Sequence, residues 1–174
     1  MPIVSIKKKD KVVEPEIDPT AWISKHAVVV GNVKIGPGTV VYQGAIIRGD
    51  FAAVKIGANN VIQDDAVINT ADGFKTKIGD NNLIGFKAIV HGATVGNNAV
   101  VGIGSTIMIG AKIGDDALIG AGAFIGNNKV VPPGKFWIGT PAVEKGDNKQ
   151  GAMWEIGRKS WRENVTKRFK ETEA

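Results

Sequence analysis

A chain of 174 residues has the length of one ordinary domain, and 43% hydrophobic with 22% charged residues is a globular composition rather than a disordered one. There is no cysteine, which excludes a disulfide framework, a thiolate metal site and a cysteine nucleophile, and no apolar run is long enough to span a bilayer. The net charge of +5 divides into +1 over residues 1–16, +1 over 17–131 and +3 over 132–174, so the main body lacks a basic face and nucleic-acid binding is not expected.

The first segment, 1–16, opens MPIVSIKKKDK. Its charges follow a very short apolar stretch, unlike a secretory signal. With the lack of cysteine, a cytoplasmic location is the expectation. Lys7–Lys9 and Lys11 read as a solvated edge.

From residue 17 to 131 aliphatic residues recur every six positions. Ile17, Ile23, Val29, Ile35, Val41 and Ile47 form one series. Ile56, Ile62, Ile68 and then Ile78, Ile84, Val90 form two more. Val95, Val101, Ile107, Ile113, Ile119, Ile125 and Val131 complete the set, and all nineteen positions are Ile or Val. A period of six fits neither an α-helix nor a plain alternating strand. It fits a short strand followed by a sharp corner, with the β-branched residue inside and Gly or Asn taking the left-handed dihedrals. The pairs Asn59–Asn60, Asn81–Asn82, Asn97–Asn98 and Asn127–Asn128 fall where corners should be. Three hexapeptides per coil predict an all-β solenoid, a parallel β-helix of about six coils.

The repeat breaks three times, and breaks in a regular solenoid mark candidate function. Ile47 to Ile56 is nine residues, Ile68 to Ile78 is ten, and Val90 to Val95 is five. Counting strides puts Arg48, Asn69 and His91 in one column on successive coils, with loops at 49–55 and 70–77 beside it. Asp64 and Phe86 stack on the adjoining face. The candidate pocket is therefore Arg48, Asp50, Gln63, Asp64, Asn69, Phe86 and His91.

Residues 132–150 carry turn signals and read as a connecting loop. From 151 to 174 the spacing of Trp154, Trp161, Val165 and Phe169 predicts an amphipathic C-terminal helix. Four acids interrupt its basic face, so packing on the prism or on a neighbouring subunit is expected rather than membrane binding.

IIRGDFAAVKIG, VIQDDAVIN and LIGFKAIVHGATVGNNAVVGIGSTI resemble the γ-class carbonic anhydrases, over roughly residues 14–145. The resemblance implies a left-handed β-helix with a C-terminal helix, assembled as a homotrimer. It also implies a metal held by three histidines across a subunit interface, at the positions of Asn69, Phe86 and His91. Only His91 is a histidine. A catalytic zinc needs three protein ligands and an open position; phenyl cannot ligate, and a carboxamide oxygen suits zinc poorly. His26 is out of phase with the column. Zinc and CO2 hydration are therefore not expected, and the chain reads as a structural or small-molecule-binding trimer. Within the resemblance Arg48 and Asp50 form an ion pair across the trimer interface. Two other readings stay open. In the first, His91 is the general base of a coenzyme-A-dependent hexapeptide acyltransferase, with which GTPA (139–142) is compatible. In the second, a hetero-oligomer with a related subunit completes a metal site.

Overall fold

The computed structural model describes residues 3–172. Short parallel strands stack into a three-faced solenoid. One face carries residues 28–30, 46–48, Val67–Asn69, Ile89–His91, Thr106–Ile107 and Phe124–Ile125. The second carries Glu16–Ile17, 33–35, 54–56, Thr76–Ile78, Thr94–Val95, Lys112–Ile113 and Val130–Val131. The third runs from Trp22–Ile23 through Val40–Val41, Val61–Ile62, Leu83–Ile84, Val100–Val101 and Leu118–Ile119 to Lys135–Gly139.

The six-residue series is the core. Seventeen of its nineteen members are buried, and only Ile17 and Ile23, at the first coil, stay partly exposed. β-Branched side chains fit here because each packs on its equivalent one coil above and below, on a pleated surface that suits their stiff χ1. The corners are made as the composition predicts: Asn59, Asn81, Asn98, Asp116 and Asn128 all have positive φ. At the corner between the second and third faces, Asn60 and Asn82 turn inward and build a buried ladder. The Asn60 side-chain oxygen accepts from the Asn82 backbone N–H, the Asn82 side-chain oxygen accepts from Ala99 N–H, and both amides donate to carbonyls of glycines 79 and 96. These two take places where the repeat otherwise puts small side chains.

Three expectations need correction. The third face has seven parallel rungs, not six, because the segment expected as a connecting loop contains strands. Lys135–Gly139 adds a rung on Leu118–Ile119, and Ala142–Asp147 folds back antiparallel on it. Phe136, Trp137 and Ile138 follow the Pro-Pro-Gly turn, and Trp137 is buried over the end of the core. The nine-residue stride at 49–55 is not a loop either: Ile46–Ile56 is one continuous strand that runs round the corner, matched by Val28–Ile35 below it. The third concerns 1–16, which is more than an edge. Ile3–Val4 pairs with the first face, and Ile6–Lys8 forms a hairpin with Lys11–Val13, its lysines exposed.

The C-terminal helix packs on the third face. It runs from Gly151 through a π-helical turn at Trp161–Val165 to Thr172. Trp154, Trp161, Val165 and Phe169 cover Val40, Tyr42, Val61, Leu83, Val100 and Leu118. In the π turn the Trp161 carbonyl accepts from the Thr166 backbone N–H five residues on, and also from the Tyr42 hydroxyl and the Thr166 hydroxyl, both at 2.8 Å. Those two hydroxyls lie 2.6 Å apart, so two protons serve three oxygens in a buried triangle. Burial pushes the Tyr42 phenol up to about 12.

Tyr42→Phe keeps the ring and its edge contacts with Trp22, Trp161 and Phe169 and removes only the hydroxyl. A loss of about 1–2 kcal/mol in urea denaturation is expected at neutral pH. Because the folded-state phenol titrates above the unfolded one, the wild-type advantage is full below about pH 10 and is lost as pH rises through about 12.

Candidate functional site

The strand pairing puts Arg48, Asn69 and His91 in register on consecutive rungs at one edge of the first face. His91 Nδ1 lies 2.8 Å from Asn69 Oδ1. A carboxamide oxygen can only accept, so Nδ1 is the donor in this contact. Arg48 Nε donates to Asp50 Oδ2 at 2.9 Å within the same chain. The other oxygen of that carboxylate accepts from Phe51 N–H, and Thr70 Oγ1 stands 3.5 Å away. This pair is about half exposed on the arginine side, so it is worth at most about 1 kcal/mol as an isolated contact.

Two glycines in the recognisable motifs have steric reasons. A Cβ on Gly49, the centre of RGD, would collide with the Asn32 carbonyl of the preceding coil. Gly92, after His91, has φ +58°, and a Cβ there would press on Phe74 at 3.0 Å. Phe74 belongs to the loop in the ten-residue stride from Ile68 to Ile78, which is closed by an Ala71–Phe74 bridge.

At the other edge of the same face, Asp64 and Phe86 occupy equivalent corner positions: Lys87 N–H donates to Asp64 O, and Gly104 N–H to Phe86 O. Gln63 is buried beside Asp64. The Phe86 ring meets Trp161 of the C-terminal helix edge-on, with centroids 5.8 Å apart. Burial raises the Asp64 carboxyl, and the neighbouring Asp65 charge adds to this.

The seven residues thus form two groups, one at each edge of the first face: Arg48, Asp50, Asn69 and His91, then Gln63, Asp64 and Phe86. No hydrogen bond, ion pair or ring contact joins the groups among the described residues. His26 is exposed at a corner, its carbonyl accepting from Gly44. Among the described residues no three His, Cys, Asp or Glu side chains converge as a metal cluster. The donors at the three aligned positions are one imidazole, one carboxamide already bonded to it, and a phenyl ring, a set that does not fit a zinc ion. Sequence reasoning did not single out Thr70 or Tyr42, and it placed Trp161 on the apolar stripe of the C-terminal helix without giving it a contact at the site. Tyr42, the one tyrosine of the chain, falls inside a hydrophobic run and carries no motif.

No family model matches the chain. A protein of Methanocaldococcus jannaschii named "Probable carbonic anhydrase" is 48% identical over 119 residues, covering 68% of this chain and 75% of that one. The chain belongs to the γ-carbonic-anhydrase-like hexapeptide-repeat family. "Gamma carbonic anhydrase 2, mitochondrial" of Arabidopsis thaliana is 34% identical over 134 residues. That match takes in 74% of this chain, which spans about half (48%) of the Arabidopsis protein. A solved structure of a hexapeptide transferase family protein from Anaplasma phagocytophilum superposes with a TM-score of 0.81 at 32% identity, covering 86% of this chain and 90% of that one.

Asp64→Asn removes a carboxyl whose charged form the fold disfavours. The stability linked to this raised carboxyl is present below its unfolded value and lost as pH rises through its folded one. The variant is therefore expected to be more stable than wild type at neutral pH, the two converging in acid. Urea midpoints measured at both ends of that range check this.

Proposed function

We propose that this chain is a γ-carbonic-anhydrase-like protein without a working zinc centre, acting as a structural or small-molecule-binding homotrimer. The observation that carries the reading is the use made of the ligand positions. Asn69 spends its carboxamide oxygen on His91, and Phe86 holds the C-terminal helix through Trp161. Metal-hydroxide chemistry needs a water whose pKa is lowered by a firmly held ion, and this donor set offers one imidazole.

Trimer formation is supported by the outward side of the first face. Val28, Ile46, Val67, Ile89, Thr106 and Phe124 align in the register of that face, apolar but for Thr106, with Ile46, Ile89 and Phe124 exposed. An aligned apolar stripe of this kind asks for a cover. In such an assembly the edge bearing His91 would meet the edge bearing Asp64 and Phe86 of a neighbour. Lack of cysteine fits a cytoplasmic setting, and among the described residues no helix is long and apolar enough to cross a membrane.

One observation favours a second reading. Asn69 Oδ1 engages His91 Nδ1, which leaves Nε2 as the ring nitrogen available to take a proton from an acceptor, the arrangement a coenzyme-A-dependent acyltransferase would need.

Protein purified without chelator is expected to contain far less than one zinc per subunit and to hydrate CO2 no faster than buffer. About one zinc per subunit with hydration activity overturns the proposal, and co-purification of that zinc with a similar second chain assigns the site to a hetero-oligomer. Saturable acetyl-CoA binding that His91→Ala abolishes, with the oligomer intact, selects the acyltransferase reading.

A further inference from the structure

A crevice of about 330 Å³ lies between the start of the C-terminal helix and the corner column Asn81, Asn98 and Asp116. It shares no residue with the candidate site around His91 and Asp64. Three cations of the helix line it: Arg158, Lys159 and Arg162.

Arg158 is the unusual one. It is only 5% exposed, yet no carboxylate lies within ion-pairing distance among the described residues. Its one hydrogen bond runs from Nη1 to the Asn98 carbonyl at 3.4 Å. A guanidinium has five N–H donors; one is spent on the Asn98 carbonyl, and no Arg158 nitrogen is buried without a partner, so the remaining donors are open to the crevice. Arg162, one turn further on, gives Nη1 to the Asn59 carbonyl at 3.0 Å and adds its own positive charge beside Arg158.

The helix start points the same way. Its first turn has no acidic residue, no side chain caps it, and Gly151 lines the crevice. Asp116 and Glu155 also line it; neither comes within ion-pairing distance of Arg158, though both act on its charge favourably from further off, Glu155 more than Arg162 opposes it. A purely structural arginine at this corner would account for the bond to the Asn98 carbonyl and for nothing more. Two guanidiniums and an ammonium within two turns of one helix, facing one cavity with donors unspent, suit a small anion that presents several oxygens.

We propose that this crevice binds a phosphate group, either as free phosphate or on a small ester. The inference stands apart from the reading of the His91 column and holds whichever activity that column has.

The test is a titration of the intact protein with inorganic phosphate against chloride at constant ionic strength. Binding is read from Trp154 fluorescence, since that ring lines the crevice, and from amide NMR shifts across 151–162. A saturable response in the millimolar range or tighter, absent with chloride, is expected. The exposed Lys159→Gln should weaken it about three- to tenfold, and Arg158→Gln should remove it. Because Arg158→Gln loses a buried side chain, its fold is checked by circular dichroism, and Lys159→Gln decides if that fold fails. A parallel titration with glycerol 3-phosphate separates the two sources: tighter binding assigns an ester, equal or weaker binding free phosphate. No saturation with either compound, or an affinity that Lys159→Gln leaves unchanged, overturns the proposal.

Discussion

The stacking of one aliphatic side chain on its counterpart a coil away governs the rest of this molecule. Each interior Ile or Val is held by the strand pairing of its own rung, and the outward residue next to it has its neighbours chosen by that register. Arg48, Asn69 and His91 line up because Ile47, Ile68 and Val90 do. The insertions do not disturb this order. One is absorbed as extended strand, the other is pinched off by the Ala71–Phe74 bridge, and the pairing resumes at Ile56 and Ile78.

That regularity explains what could be read from the sequence. The core, the corners and the His91 column all follow from a count of six, since a repeat converts spacing directly into position. The reading fails where the repeat ends. Trp137 keeps the six-residue step from Val131, but it is an aromatic where the series has Ile or Val and it follows Pro-Pro-Gly, so the turn residues around Lys135–Gly139 hid a strand. It fails also where contact depends on an element outside the repeat. Phe86 was legible as a lost ligand position, but nothing in the spacing said that its ring would rest on Trp161. Asn60 and Asn82 stand at interior corner positions whose buried hydrogen bonds only the three-dimensional ladder displays.

The two edges of the first face divide the labour differently. At one, polar groups satisfy each other within the chain: imidazole with carboxamide, guanidinium with carboxylate. At the other, the aromatic ring of Phe86 and the buried Tyr42 belong to the packing of the C-terminal helix. A position that serves a ligand in a metal-binding relative would here be serving tertiary structure, and each use competes with the other for the same side chain.

The helix itself changes what kind of object the solenoid is. In a bare stack each coil senses only the coils above and below, so the ends can fray without the middle taking notice. Here one rigid rod leans on Val40, Val61, Leu83, Val100 and Leu118, a side chain from each of five successive coils. It works as a splint laid along the pile: peeling off a coil means breaking the rod or lifting it from the others, and a chain built of nearly independent layers is made to melt as one.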